Sequence, residues 1–125
     1  MAYTPFQYRQ LGQLISANMN STADQSIAIN GAKYIIDKVI VTNVSTSLGA
    51  SVAAGGFYSA ASKGGTIIVA AAQLYTVLTA ASKFTALTMA LTTDSLTANP
   101  IYFSLTTAHG SAATADIYVY GYILS

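Results

Sequence analysis

The chain has 125 residues, which suits one domain, and no cysteine, which excludes a disulfide framework and thiolate chemistry. Only 7% of the residues are charged, against about 25% in a typical soluble domain. Four aspartates (Asp24, Asp37, Asp94, Asp116) and five bases (Arg9, Lys33, Lys38, Lys63, Lys83) leave a net charge of +1; no basic patch exists to neutralise phosphates, so nucleic-acid binding is not expected.

Taken from the start, residues 1–23 show no sustained period. Tyr3, Phe6, Tyr8 and Leu11 supply apolar contacts, and the stretch reads as an N-terminal docking arm, with a strand near 12–16, ahead of a domain over 24–125. It lacks a basic start followed by an apolar run, so a signal peptide is not expected. In DQSIAINGAKYII (24–36) the Asn30-Gly31 pair separates two β-type runs and predicts a hairpin turn, because a type I′ turn needs positive φ at both central residues. KYIIDKVIVTNVS (33–45) reads as a central strand whose alternation fails at Asp37-Lys38, which predicts a bulge there. SVAAGGFYSA (51–60) is a strand with a glycine kink at 55–56, SKGG (62–65) a turn, and TIIVAA (66–71) another strand.

The stretch 66–81 is the most apolar, but Gln73, Thr76 and Thr79 interrupt it, and it is shorter than the ~20 residues of a spanning helix, so no membrane segment is expected. Within it, residues 71–82 fit a helical stripe (Ala71, Leu74, Tyr75, Leu78) as well as a strand, and read as one helical turn or an irregular crossover. FTALTMAL (84–91) alternates strictly. TTDSLTANP (92–100) is a loop, IYFSLT (101–106) a strand, TAHGSAATA (107–115) a tip of small residues, and DIYVYGYIL (116–124) the closing strand. About eight short strands between turn signals predict an all-β fold, an antiparallel β-sandwich of jelly-roll type; an immunoglobulin-like sandwich is the other candidate.

Catalytic chemistry finds no support in these residues. The single histidine, His109, has Ser111 two residues away, but neighbours along an extended loop do not make triad geometry, and the segment reads as a solvated tip. Four scattered aspartates give no acid–base pair. One histidine, no cysteine and dispersed carboxylates give no zinc-type ligand set, and the glycine pairs lack the lysine and hydroxyl residue of a phosphate loop. The chain is therefore expected to be no enzyme and to need no cofactor.

The tyrosines carry the functional signal. In the last strand Ile117, Val119, Gly121 and Ile123 fall on one side and Tyr118, Tyr120, Tyr122 and Leu124 on the other, since strand side chains alternate. Neither side is polar, as the outer side of an ordinary sandwich strand would be. Tyr102 takes the corresponding outer position in the preceding strand. The tyrosine side reads as a subunit interface formed by Tyr102, Tyr118, Tyr120 and Tyr122; a second core face and a sugar-stacking platform are the other two readings. The sparse charge agrees with a surface covered by neighbours, and a closed ring of copies, a homotrimer above all, hides such faces without open filaments.

The pattern GGFYSAASKGGTIIVAAAQLYTVLTAASKFTALTMAL followed by PIYFSLTTAHGSAATADIYVYGYIL, within residues 33–125, resembles small virion structural proteins of tailed bacteriophages, in particular the β-sandwich decoration and head-fibre proteins on capsids. The resemblance implies a trimeric or otherwise symmetric jelly-roll assembly in the virion. Its partners would be its own copies and the major capsid protein or other virion proteins. It implies no catalytic residue. Fibre and tail-tip members of such folds bind host glycans, so a receptor- or glycan-binding module is the alternative expectation, with 107–115 as a contact loop.

Overall fold

A computed structural model describes residues 8–125. Among them eight strands form: β1 Tyr8–Asn18, β2 Gln25–Ile27, β3 Tyr34–Thr42, β4 Ala54–Ala60, β5 Gly64–Val69, β6 Phe84–Ala86, β7 Ile101–Thr107 and β8 Thr114–Ile123. They make two four-stranded antiparallel sheets, ordered β1-β8-β3-β6 and β2-β7-β4-β5. β1 pairs β8, β2 pairs β7, β3 pairs β6 and β4 pairs β5. That nesting is an antiparallel ribbon folded at its middle and rolled into two layers, which is the jelly roll. The core lies between the layers. Val39, Val41, Ile117 and Val119 enter it from the first sheet, and Phe57, Ile101, Phe103 and Leu105 from the second. The Phe57 and Phe103 rings lie 5.0 Å apart, and Tyr75 meets Phe103 edge-on at 6.1 Å.

The expected arm needs correction. Residues 8–18 are a strand paired along its length with β8, and Leu11, Ala17 and Met19 are fully buried or nearly so. Two register shifts, between Gln10 and Gly12 and between Leu14 and Ala17, explain why no period was visible: each bulge resets the alternation. The chain from Tyr8 on therefore belongs to the sandwich, and a domain boundary at residue 23 does not hold. Tyr3 and Phe6 lie outside the described residues.

The Asn30-Gly31 turn also joins different partners from those expected. Gly31 has a positive φ of 134°, but β2 pairs in the second sheet and β3 in the first, so the turn is a crossing between layers rather than a hairpin. Asn99 supports the crossing: its side chain accepts from the Ile29 N–H at 3.0 Å and donates to the Ile29 carbonyl at 2.8 Å. The bulge expected at Asp37 is present, as a register shift between Ile36 and Lys38. Opposite it sits Gly121, where an added Cβ would come within 1.9 Å of the Ile35 carbonyl oxygen. Residues 71–82 hold no helix and cross irregularly, tied by a bridge between Leu74 and Ala54. The alternation of 84–91 persists in burial, with Leu87 and Leu91 inward, but the partner changes: Phe84–Ala86 pair β3, whereas Met89 bridges Val69 of the other sheet. This run closes one side of the sandwich.

Candidate functional site

The outer face of the first sheet gathers four of the nine tyrosines, Tyr8, Tyr118, Tyr120 and Tyr122. β8 runs between β1 and β3, and its pleat sends Ile117, Val119 and Gly121 inward, leaving Tyr118, Tyr120 and Tyr122 half-buried on the outside. On β1, Tyr8 stands opposite Tyr122, Gln10 opposite Tyr120 and Gln13 opposite Tyr118. On β3 the neighbours are Ile35, Lys38 and Ile40, in that order. Beyond Ile40 and Thr42, β6 contributes Phe84, which is 66% exposed.

The rings are organised. Tyr8, 45% exposed, stacks parallel to Tyr120 at 6.2 Å and meets Tyr122 edge-on at 5.4 Å. Both are favoured aromatic geometries. Burial, together with the Asp37 carboxylate at the bulge, pushes the Tyr8 phenol above its ordinary value. The bulge therefore has a local effect: it brings a carboxylate from β3 within reach of a phenol two strands away. The Gln10 side-chain amide donates to the Gln13 side-chain oxygen at 3.0 Å, fixing both amides on this face.

Two of the expected interface and arm residues need to be moved. Tyr102 is on β7, in the second sheet, opposite Ser26 on one side and Tyr58 on the other. It faces away from Tyr118, Tyr120 and Tyr122 and is not part of their cluster; β7 and β8 are consecutive in the chain yet lie in different layers, which alternation alone does not reveal. Leu11 is in the core rather than on a docking surface. Tyr8 and Phe84 are members of the face that sequence reasoning did not assign to it, because both depend on which strands flank β8.

No protein-family model, characterised protein or solved structure matches the chain. The face must therefore be read from its own chemistry.

Elsewhere the polar residues hold the fold. Asp116, nearly buried, accepts from the Ser16 N–H through Oδ1 and from the Asn43 side-chain amide through Oδ2, each at 2.9 Å. Asp24 accepts from the Ser62 N–H at 2.7 Å, and that bond holds its carboxyl below the ordinary value. His109, expected on a solvated tip, is half-buried. Its backbone N–H donates to the Met19 carbonyl at 2.9 Å, and the Gly110 N–H donates to Asn20 Oδ1 at 2.8 Å. The loop is thus laced to the turn after β1, while Ser111 is exposed. Among the described residues no three or more His, Asp or Glu groups gather where they could hold a metal ion.

Proposed function

We propose that this chain is a non-enzymatic structural protein of a bacteriophage virion, which decorates or cements a capsid as a symmetric oligomer. The observation that carries the reading is the outer face of the first sheet: Tyr8, Tyr118, Tyr120, Tyr122, Ile35 and Phe84 lie on it, and among the described residues no further element covers them. A sheet face in water is ordinarily polar, and a contiguous apolar patch marks an interaction site. Tyrosine suits an interface because its ring supplies area while its hydroxyl keeps a partner or water. The virion setting is supported by the resemblance of residues 33–125 to phage decoration proteins. The test is sedimentation of the wild type and of Tyr120→Asp, with co-sedimentation on phage heads. The wild type is expected to be oligomeric and head-bound, and Tyr120→Asp a folded protomer, since the substitution strands a charge in the contact. A wild type that is monomeric and does not bind heads overturns the reading.

One observation favours the second reading, a receptor- or glycan-binding module of a fibre or tail. Gln10, Gln13, Lys38 and Asp37 flank the rings and supply the hydrogen-bonding groups a sugar platform uses. The chain has no tryptophan, so tyrosine fluorescence during titration with host polysaccharide, compared between the wild type and Tyr120→Asp, reports on this face. A saturable change that Tyr120→Asp abolishes would shift the assignment to glycan binding.

A further inference from the structure

The crossing between β2 and β3 carries a reactive pair, Asn30-Gly31, that the assembly reading does not use. Deamidation of an asparagine needs a carboxamide free to turn, a backbone N–H on the next residue that is free to lose its proton, and little bulk on that next residue. Four of the five asparagines lack at least one of these. Asn99 exchanges two hydrogen bonds with Ile29 and is followed by Pro100, which has no N–H. The N–H after Asn18 belongs to Met19, which is fully buried and donates to the Ala113 carbonyl at 2.9 Å. Asn43 holds its amide on Asp116 at 2.9 Å and precedes the buried, β-branched Val44. Asn20 is tied through Oδ1 to the Gly110 N–H at 2.8 Å. Asn30 differs on every count. It is exposed, and among the described residues nothing hydrogen-bonds its carboxamide. The Gly31 N–H is likewise unbonded among them. Gly31 has no side chain to obstruct approach, and its φ of 134° is one that bulkier residues rarely adopt.

We propose that Asn30 is a self-modification site, at which the folded chain loses ammonia and gains a carboxylate. The Gly31 nitrogen gives up its proton to hydroxide and attacks Asn30 Cγ. A C–N bond forms, the Cγ–Nδ2 bond breaks, and Nδ2 leaves as ammonia after taking a proton from water. Water then opens the resulting cyclic imide at either of its two carbonyls. One opening restores the ordinary main chain, with an aspartate at position 30. The other leads the main chain through the side-chain carbons, as isoaspartate. No electrons are exchanged, and water is the only co-reactant. The main chain is held on both sides of the reacting atoms: the Asn30 N–H donates to the Leu11 carbonyl at 2.8 Å and the Ala32 N–H to the Ser125 carbonyl at 2.9 Å. Closing the ring therefore asks for rotation of an unbonded side chain and a local turn of the peptide between residues 30 and 31, while β2 and β3 stay paired. One added carboxylate takes the net charge at pH 7 from +1 to zero, and a protein without net charge associates more readily.

The test incubates the full chain at pH 8, digests it with trypsin against an unincubated control and maps the peptides by mass spectrometry. Circular dichroism taken alongside shows that the protein stays folded. The early mass gain, about one dalton, is expected at position 30 as a mixture of aspartate and isoaspartate, with positions 18, 20, 43 and 99 unchanged. Ion exchange should show a less cationic species growing at the same rate. Asn30→Gln should not form it, because glutamine has to close a larger ring; its side chain is exposed, so the substitution leaves the fold in place. A synthetic peptide of residues 24–36 is the reference for an unrestrained chain. If the folded protein shows no gain at position 30 over a period that converts the peptide, the crossing keeps the Gly31 nitrogen away from Cγ and the proposal is wrong. It is also wrong if another asparagine changes first. Aspartate at position 30 without isoaspartate overturns it too, since direct hydrolysis of the amide does not involve Gly31.

Discussion

Asp116 shows how a single side chain can hold a fold while leaving almost no trace in the sequence. In DIYVYGYIL it looks like a polar strand start. In the fold its two oxygens satisfy donors at Ser16 on β1 and at Asn43 just after β3, and both of those residues have positive φ, 57° and 55°. Non-glycine residues occupy that region at a cost, and local hydrogen bonds offset it. Asp116→Ala leaves the Ser16 N–H without its acceptor, and we expect a loss of about 1–3 kcal/mol in urea denaturation. A loss no larger than that of an ordinary surface substitution, about 0.5 kcal/mol, would show that water replaces the carboxylate. Asp24 is more exposed and gives a pH signature. Its folded pKa lies below the ordinary 3.8 because the Ser62 N–H binds the ionised form. The stabilisation is therefore complete above that ordinary value and is lost as pH falls through the lowered one. Urea midpoints measured between pH 5 and pH 2 should drop less steeply for Asp24→Asn than for the wild type, and parallel curves would exclude the linkage. By contrast, Tyr118, Tyr120 and Tyr122 were legible as a face from alternation alone, since the pleat needs no knowledge of the partner strand.

The strands themselves were readable because β-branched and aromatic runs between turn residues are local signals. Pairing was not, because it joins residues far apart in the chain. The Asn30-Gly31 turn has hairpin chemistry but connects two layers, and Tyr102 was assigned to the wrong face for the same reason: β7 and β8 follow each other in sequence and belong to different sheets. β1 is the clearest case. Two bulges erase its period, so its apolar residues resembled a docking arm, whereas the sheet uses them to cover β8. Bulges at an edge strand add twist and interrupt pairing with foreign strands, which fits the position of β1 at the sheet margin. Leu11 decides between arm and core. It is fully buried, so Leu11→Ala should lower unfolding free energy by about 2–5 kcal/mol, the range for truncating a core leucine. An arm residue awaiting a partner would lose almost nothing in the isolated protein and register only in assembly.

The whole molecule combines a well-filled jelly-roll core with a surface that carries little charge, and the two properties set how its proposed assembly should respond to conditions. Charge-driven association weakens as salt shortens the screening length from about 10 Å at 0.1 M to about 3 Å at 1 M. The tyrosine face carries Lys38 and Asp37 near the rings, one charge of each sign. Contact through this face would be held by apolar area and aromatic packing, with tyrosine hydroxyls meeting water or polar groups at the margin. Burial of that kind is roughly independent of simple salt, and kosmotropic salts strengthen it. It also has a negative heat-capacity change, so it weakens on cooling from room temperature. We therefore expect the oligomer dissociation constant, read by sedimentation, to change less than about threefold between 0.1 and 1 M sodium chloride. It should fall in sulfate and rise on cooling towards 4 °C. Tenfold weakening in sodium chloride would mean that charged groups dominate the contact. With so few on the tyrosine face, the copies would then meet through a more highly charged surface instead, and the tyrosine face would be left for another ligand.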